Sequence, residues 1–250
     1  MFGDNATGRL RTILSAMREY PGGRPLRRAW SATLGVQDGG NATLLPVVAR
    51  VVTLPDQARS EILALSEQDT DGLLAWYDRV QVAMSIAHHF DTTVDNFKAQ
   101  FRDEDLVILR QASFQVNKAA PDAPLAPEEV ASATELVNGL LTAIVDDPDL
   151  DDASRALLVR AATGILNALM EVRVTGTEGV RDALGAAFAM FRLVSEHAPS
   201  EASGRRPGAL AAFERAAHDL ASLTTIATGM AMSAPAVQAA WHATVRLLGS

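Results

Sequence analysis

Apolar residues along this chain fall almost everywhere at the spacing of an α-helix. Between Glu128 and Val145 they occupy Val130, Ala133, Val137, Leu140, Leu141 and Ile144. The next segment repeats the rule with Leu158, Ala162, Ile165, Leu166 and Leu169, while Arg160, Asn167 and Glu171 take the opposite side. A third stripe runs through Val180, Leu184, Ala187, Phe188, Phe191 and Val194. Steps of three and four residues line side chains along one helical face, and such a face must be buried against another. No segment alternates with period two convincingly enough to predict a strand. The pattern predicts helices near 7–19, 25–34, 42–53, 56–66, 70–89, 94–118, 128–145, 153–172, 178–197, 208–231 and 236–248.

Boundary chemistry agrees with these elements. Pro55 with Asp56, and Pro127 with Glu128 and Glu129, put proline and acids where a first turn has unpaired amides and a positive dipole end. Thr92 with Asp95, and Thr175 with Glu178, have the spacing of a capping box. Two stretches read as linkers: the Pro/Ala-rich 119–127 and the small, polar 199–208. The expected architecture is an all-α bundle of about ten helices in two helical subdomains, 1–118 and 128–250. The second comprises a three-helix unit, 128–198, and a helical pair, 208–248. No repeat of fixed period is present, so a solenoid is not expected.

Composition narrows the function classes. The chain has 250 residues, 48% of them hydrophobic and 21% charged, which is a globular balance with ample material for a core. Its lack of cysteine excludes disulfides, thiolate-bound zinc, iron–sulfur clusters and cysteine nucleophiles. The net charge of −8 argues against nucleic-acid binding, which needs a basic surface to displace counterions. Met1–Leu14 is interrupted by Asp4, Asn5, Arg9 and Arg11 and forms no signal-peptide core, so a cytoplasmic location is the expectation.

Charge is sorted along the sequence. Residues 1–54 hold seven arginines against three acids, a balance of +4, so the −8 of the whole leaves −12 on the remainder. Nine acids and no Lys or Arg lie between Lys118 and Arg155. Five of the nine, Asp146, Asp147, Asp149, Asp151 and Asp152, fall within DDPDLDD. Pro148 and Leu150 break the ligand order of a calcium loop, and the plainer reading is a helix connection in which Asp151 or Asp152 caps the next helix. The opposite charge gathers at 23–30, where Arg24, Arg27 and Arg28 precede Trp30. Together the arginines, Trp30 and the five aspartates are the candidate interaction residues.

Other features carry less chemistry. His88, His89 and Asp91 are the densest set of candidate metal ligands or bases; extending the 70–89 helix puts His88 in line with Leu73, Tyr77, Val80 and Met84. Adjacent histidines on a helix point about a hundred degrees apart, and the i, i+4 pair of a zinc-protease helix is missing. The glycine loops at Thr175–Gly179 and Gly39–Gly40 lack phosphate-binding signatures, and no nucleophile elbow or kinase-like set is found. No catalytic residue, metal or cofactor is therefore expected. Leu220–Trp241 contains no charged residue, but Ser, Thr, Gly, Pro235 and Gln238 dilute it; a buried hairpin is expected, with a conditionally membrane-inserting hairpin as the alternative.

Two stretches resemble uncharacterised all-helical bacterial proteins. The first is AWSATLGV at 29–36, LPDQARSEILAL at 54–65 and LLAWYDRVQVAM at 73–84. The second runs from Glu135 through DDPDLDDASRALLVRAATGILNALMEVRVTGTEG to Phe188. The resemblance implies a helical fold and, for some such proteins, a place in bacterial conflict or phage defence; it carries over no functional residue. The expectation is a non-enzymatic interaction or regulatory subunit that binds a protein partner or forms a homo-oligomer. Its alternatives are a membrane-perturbing effector using 220–241 and a metal-dependent hydrolase using His88, His89 and Asp91.

Overall fold

The computed structural model describes residues 4–36, 40–65, 69–121, 125–197 and 208–227. They form α1 (Ala6–Glu19), α2 (Leu26–Leu34), α3 (Asn41–Leu63), α4 (Thr70–Leu73), α5 (Tyr77–Ser85), α6 (Val94–Lys98), α7 (Asp103–Ala119), α8 (Pro127–Asp146), α9 (Asp152–Met170), α10 (Val172–His197) and α11 (Gly208–Ala227). The fold is all-α; among the described residues the one extended feature is a bridge between Pro25 and Thr93. The chain divides into two compact units. One joins Met1–Pro124 with Glu171–Gly176, and the other joins Leu125–Met170 with Thr177–Ser250.

In the first unit α1 packs against α3 and α7. Its inward face is Ala6, Leu10, Ile13, Leu14 and Met17, all buried, and each large side chain removed from water is worth about 1.5–3 kcal/mol. Burying the start of α1 requires partners for its first amides. Glu61 of α3 accepts from the Ala6 amide at 2.7 Å and from the Thr7 amide at 3.1 Å and hydroxyl at 2.8 Å. Asn5 caps Gly8 at 2.7 Å, and the Ser113 hydroxyl donates to the same Asn5 oxygen at 3.1 Å. Trp30, Trp76 and Phe97 fill the rest of this core.

Three of the departures from the periodicity have a cause visible in packing or hydrogen bonding, and α10 starts earlier than predicted, at Val172, with a kink at Gly176. The segments 42–53 and 56–66 fuse into α3 although Pro55 lies inside it. Val51, Leu54, Ala58 and Ile62 are all buried on one continuous face, which outweighs a proline penalty of about 3 kcal/mol. The 70–89 helix breaks near Trp76: its indole takes the Leu73 carbonyl at 2.8 Å, so the Tyr77 amide pairs with Leu74 instead, at 2.9 Å. The 94–118 helix breaks before Asp103. There Arg18 of α1 donates to the Lys98 carbonyl at 3.2 Å, while the Arg102 amide donates to Asp105 at 2.8 Å.

Two capping expectations also change. Asp95 turns away from its own helix to accept the Gly23 amide at 2.6 Å, and the Thr175 hydroxyl donates back to the Glu171 carbonyl at 3.2 Å. Pro127 and Glu129 behave as expected, with Glu129 accepting the Ala126 amide at 2.7 Å.

The six residues Glu171–Gly176 join the first unit through an ion pair from Arg50 to Glu171 and through Val174, which is buried in that core. Gly176 has φ +69°, and a side chain there would strike the Arg9 guanidinium and the Asp4 carboxylate. In the second unit α8 packs on α9 and α11. Ala133, Val137, Leu140 and Ile144 of α8, and Leu158, Ala162, Ile165 and Leu169 of α9, are buried as their stripes predict. Phe191 of α10 stacks on Phe213 of α11 at 4.8 Å between centroids.

Asp105 is fully buried and receives Arg79 Nε at 3.1 and 3.0 Å on its two oxygens. Burial opposes its ionisation, but the Arg79 hydrogen bonds, the Arg102 amide and the charge of Arg79 outweigh that, holding the carboxyl below its ordinary value. The pair therefore stabilises fully above the unfolded carboxylate pKa of about 3.9, and the contribution is lost as pH falls through the lowered folded value. Because Arg79 is about one-third exposed, Asp105→Asn should cost the first unit roughly 2 kcal/mol at pH 7, less than a fully buried pair. Urea unfolding followed by tryptophan fluorescence should show that deficit at pH 7 and a smaller one below pH 4.

Candidate functional site

The arginine segment is held by backbone pairing with the turn before α6. The Leu26 amide donates to the Thr92 carbonyl at 2.7 Å and the Arg27 amide to that of Phe90 at 3.2 Å; in return the Val94 amide donates to Arg24 at 2.9 Å. Trp30 locks this clasp from beneath. It is fully buried, its indole donates to the Ala87 carbonyl at 3.0 Å, and its ring meets Phe97 edge-on at 5.3 Å. The expectation that Trp30 would stand beside the arginines as a contact residue is corrected: its ring belongs to the core, and it positions the arginines from within.

Arg24 and Arg28 are exposed and Arg27 is half-buried. No ion pair among the described residues involves Arg24 or Arg28. The first turn of α2 contains no acid and no side-chain cap, so Arg27 and Arg28 sit at the positive end of a helix dipole. That placement opposes folding by roughly 0.3–1 kcal/mol per cation. His88 and His89 lie on the neighbouring turn, followed by the exposed Asp91, so the positive charge of this corner comes from its arginines.

The histidines are not where helical extrapolation puts them. Helix α5 ends at Ser85, and both imidazoles are exposed, edge to face at 4.2 Å. His88 therefore does not continue the apolar stripe. No group of three or more metal-ligating side chains occurs among the described residues.

The acidic run resolves into two jobs. Asp147 is buried; one oxygen accepts the Asp149 amide at 2.9 Å, and the other accepts the Ala209 amide at 2.7 Å, capping α11. Asp151 accepts the Ser154 amide and hydroxyl, each at 2.8 Å, and caps α9. The amide bond first, and then the hydroxyl bond, hold its carboxyl below the ordinary value. Arg155 closes the far side, donating to the carbonyls of Ile144 at 3.1 Å and Leu150 at 2.9 Å and to that of Val145. Asp146, Asp149 and Asp152 remain exposed on this pinned turn, beside Val145, which is 56% exposed.

Sequence periodicity missed one surface. Val107 and Phe114 on α7 are 61% and 64% exposed and lie two turns apart on one face. The available signal was their position off the stripe Asp105, Leu109, Ala112 and Val116, which is buried. The uncharged Leu220–Trp241 lies outside the described residues beyond Ala227. No described helix is long and apolar enough to cross a membrane.

Replacing Asp147 by Ala should cost the second unit about 1–2 kcal/mol, the usual worth of a lost N-cap, and speed hydrogen exchange at the Ala209 amide. Asp146→Ala should change neither, so the pair of variants separates the structural carboxylate from the displayed one.

The chain matches no known protein family, no curated protein and no solved structure.

Proposed function

We propose that this protein works by binding: a helical interaction or regulatory subunit that holds a polypeptide partner at the corner formed by Arg24, Arg27, Arg28 and the His88–His89 turn. One observation carries the reading. The exposed cations Arg24 and Arg28 are fixed beside a helix start that repels positive charge, and neither has an ion-pair partner among the described residues. Folding gains nothing from that arrangement, whereas an approaching acidic surface does. The corner is also rigid, because the clasp to 90–94 and the buried Trp30 fix its backbone, so little conformational freedom remains to be lost on binding. The resemblance to all-helical bacterial proteins adds conflict or defence systems as the setting in which such a subunit would act.

Native mass spectrometry on the protein isolated gently from its own cells tests this reading. At about 50 mM salt the wild type should retain a polypeptide partner, lost by 500 mM as the screening length shortens. Arg24→Glu/Arg28→Glu should weaken that assembly at least tenfold. An unchanged assembly in the variant, or a monomer carrying a metal or small molecule, would overturn the proposal.

A further inference from the structure

The binding corner also points to what it binds, an inference that rests on the reading above. The nine acids between Lys118 and Arg155 have no Lys or Arg among them. The arginine that ends the stretch is engaged with three main-chain carbonyls. The turn from α8 to α9 thus displays Asp146, Asp149 and Asp152 with no ion pair among the described residues, and Arg155 beside them is bonded to main-chain carbonyls; the corner likewise displays Arg24 and Arg28 with no ion pair, although Asp95 bonds the adjacent Gly23 amide.

We propose that the partner is a second copy of this chain, whose α8–α9 turn docks on the cationic corner. Three observations on the turn favour it. Its displayed carboxylates complement the corner in charge. Its backbone is held by the Asp147 and Asp151 caps and by Arg155, so it meets the corner preformed. Val145, exposed immediately before Asp146, supplies an apolar contact that the charged residues can surround. The contact joins two different surfaces, so each added copy leaves one corner and one turn open, and the assembly either grows or closes into a ring.

Sedimentation velocity on the purified chain alone tests this. At about 50 mM salt the mean mass should rise with concentration above the 26.6 kDa of one chain, and return to it at 500 mM. Arg24→Glu/Arg28→Glu and Asp146→Lys/Asp149→Lys should each stay monomeric alone, and an equimolar mixture of the two should recover the heavier species. These four side chains make no hydrogen bond or ion pair among the described residues, so circular dichroism should be unchanged. A wild type that stays monomeric at low salt, or variants that associate like wild type, would overturn self-docking. If the wild type is monomeric alone yet holds a different polypeptide through Arg24 and Arg28, the binding reading survives and the second copy does not.

Discussion

A helix packed into a core leaves unpaired amides at one end and carbonyls at the other, and burying them without partners costs more than most packing gains. Much of this structure follows from how those groups are answered by distant side chains. Glu61 reaches across from α3 to the start of α1, and Asn5 and Ser113 complete the same junction between α1 and α7. Arg18 near the end of α1 takes carbonyls from 98 and 101, and so determines where α6 ends. In the second unit Asp147 ties the start of α11 to the end of α8, and Arg155 ties α9 back to that same end. Polar side chains are therefore the joints of a fold whose bulk is apolar.

The same requirement sorts the charges. Asp147, Glu61, Arg18 and Arg155, which answer a helix end across elements, are buried or half-buried and fixed, while Asp151 caps α9 from an exposed position. The charges left over stand exposed on backbone that their neighbours have made rigid. Asp147 and Asp151 hold the turn on which Asp146 and Asp149 are displayed. Trp30 and the 24–27 clasp hold the corner on which Arg24 and Arg28 are displayed. Charge left without an internal partner at two rigid places is what gives the interaction reading its physical content, since preformed surfaces bind with less loss of freedom and opposite fields bring them together.

The segment Glu171–Gly176 shows how packing can overrule chain order. Its sequence follows α9 and forms the start of α10 up to the kink at Gly176, yet Val174 enters the core of the first unit, and Arg50 pairs with Glu171. Gly176 permits the kink in α10 because only a residue without a side chain fits beside Arg9 and Asp4 at positive φ. A single valine and a single ion pair are too small a signal for periodicity to register.

The sequence by itself determined the class of fold and the inward faces of its long helices. Stripes such as Val137–Leu140–Ile144 and Leu158–Ala162–Ile165 are local, and burying them is the dominant driving force. It also made legible that Asp151 or Asp152 would cap α9, because capping acts over three residues. Tertiary structure decided what depends on partners far along the chain. Whether Pro55 ends a helix, whether Arg18 breaks one, and whether Trp30 faces solvent or core turned on groups far along the chain, while the break at Trp76 follows from a side-chain bond only three residues back. It also decided which aspartates are structural and which are displayed, since Asp147 could be told from Asp146 only once the Ala209 amide arrived beside it. Periodicity reads the energetics of one face of one helix; hydrogen-bond satisfaction is settled between elements, and that is where the candidate site took its shape.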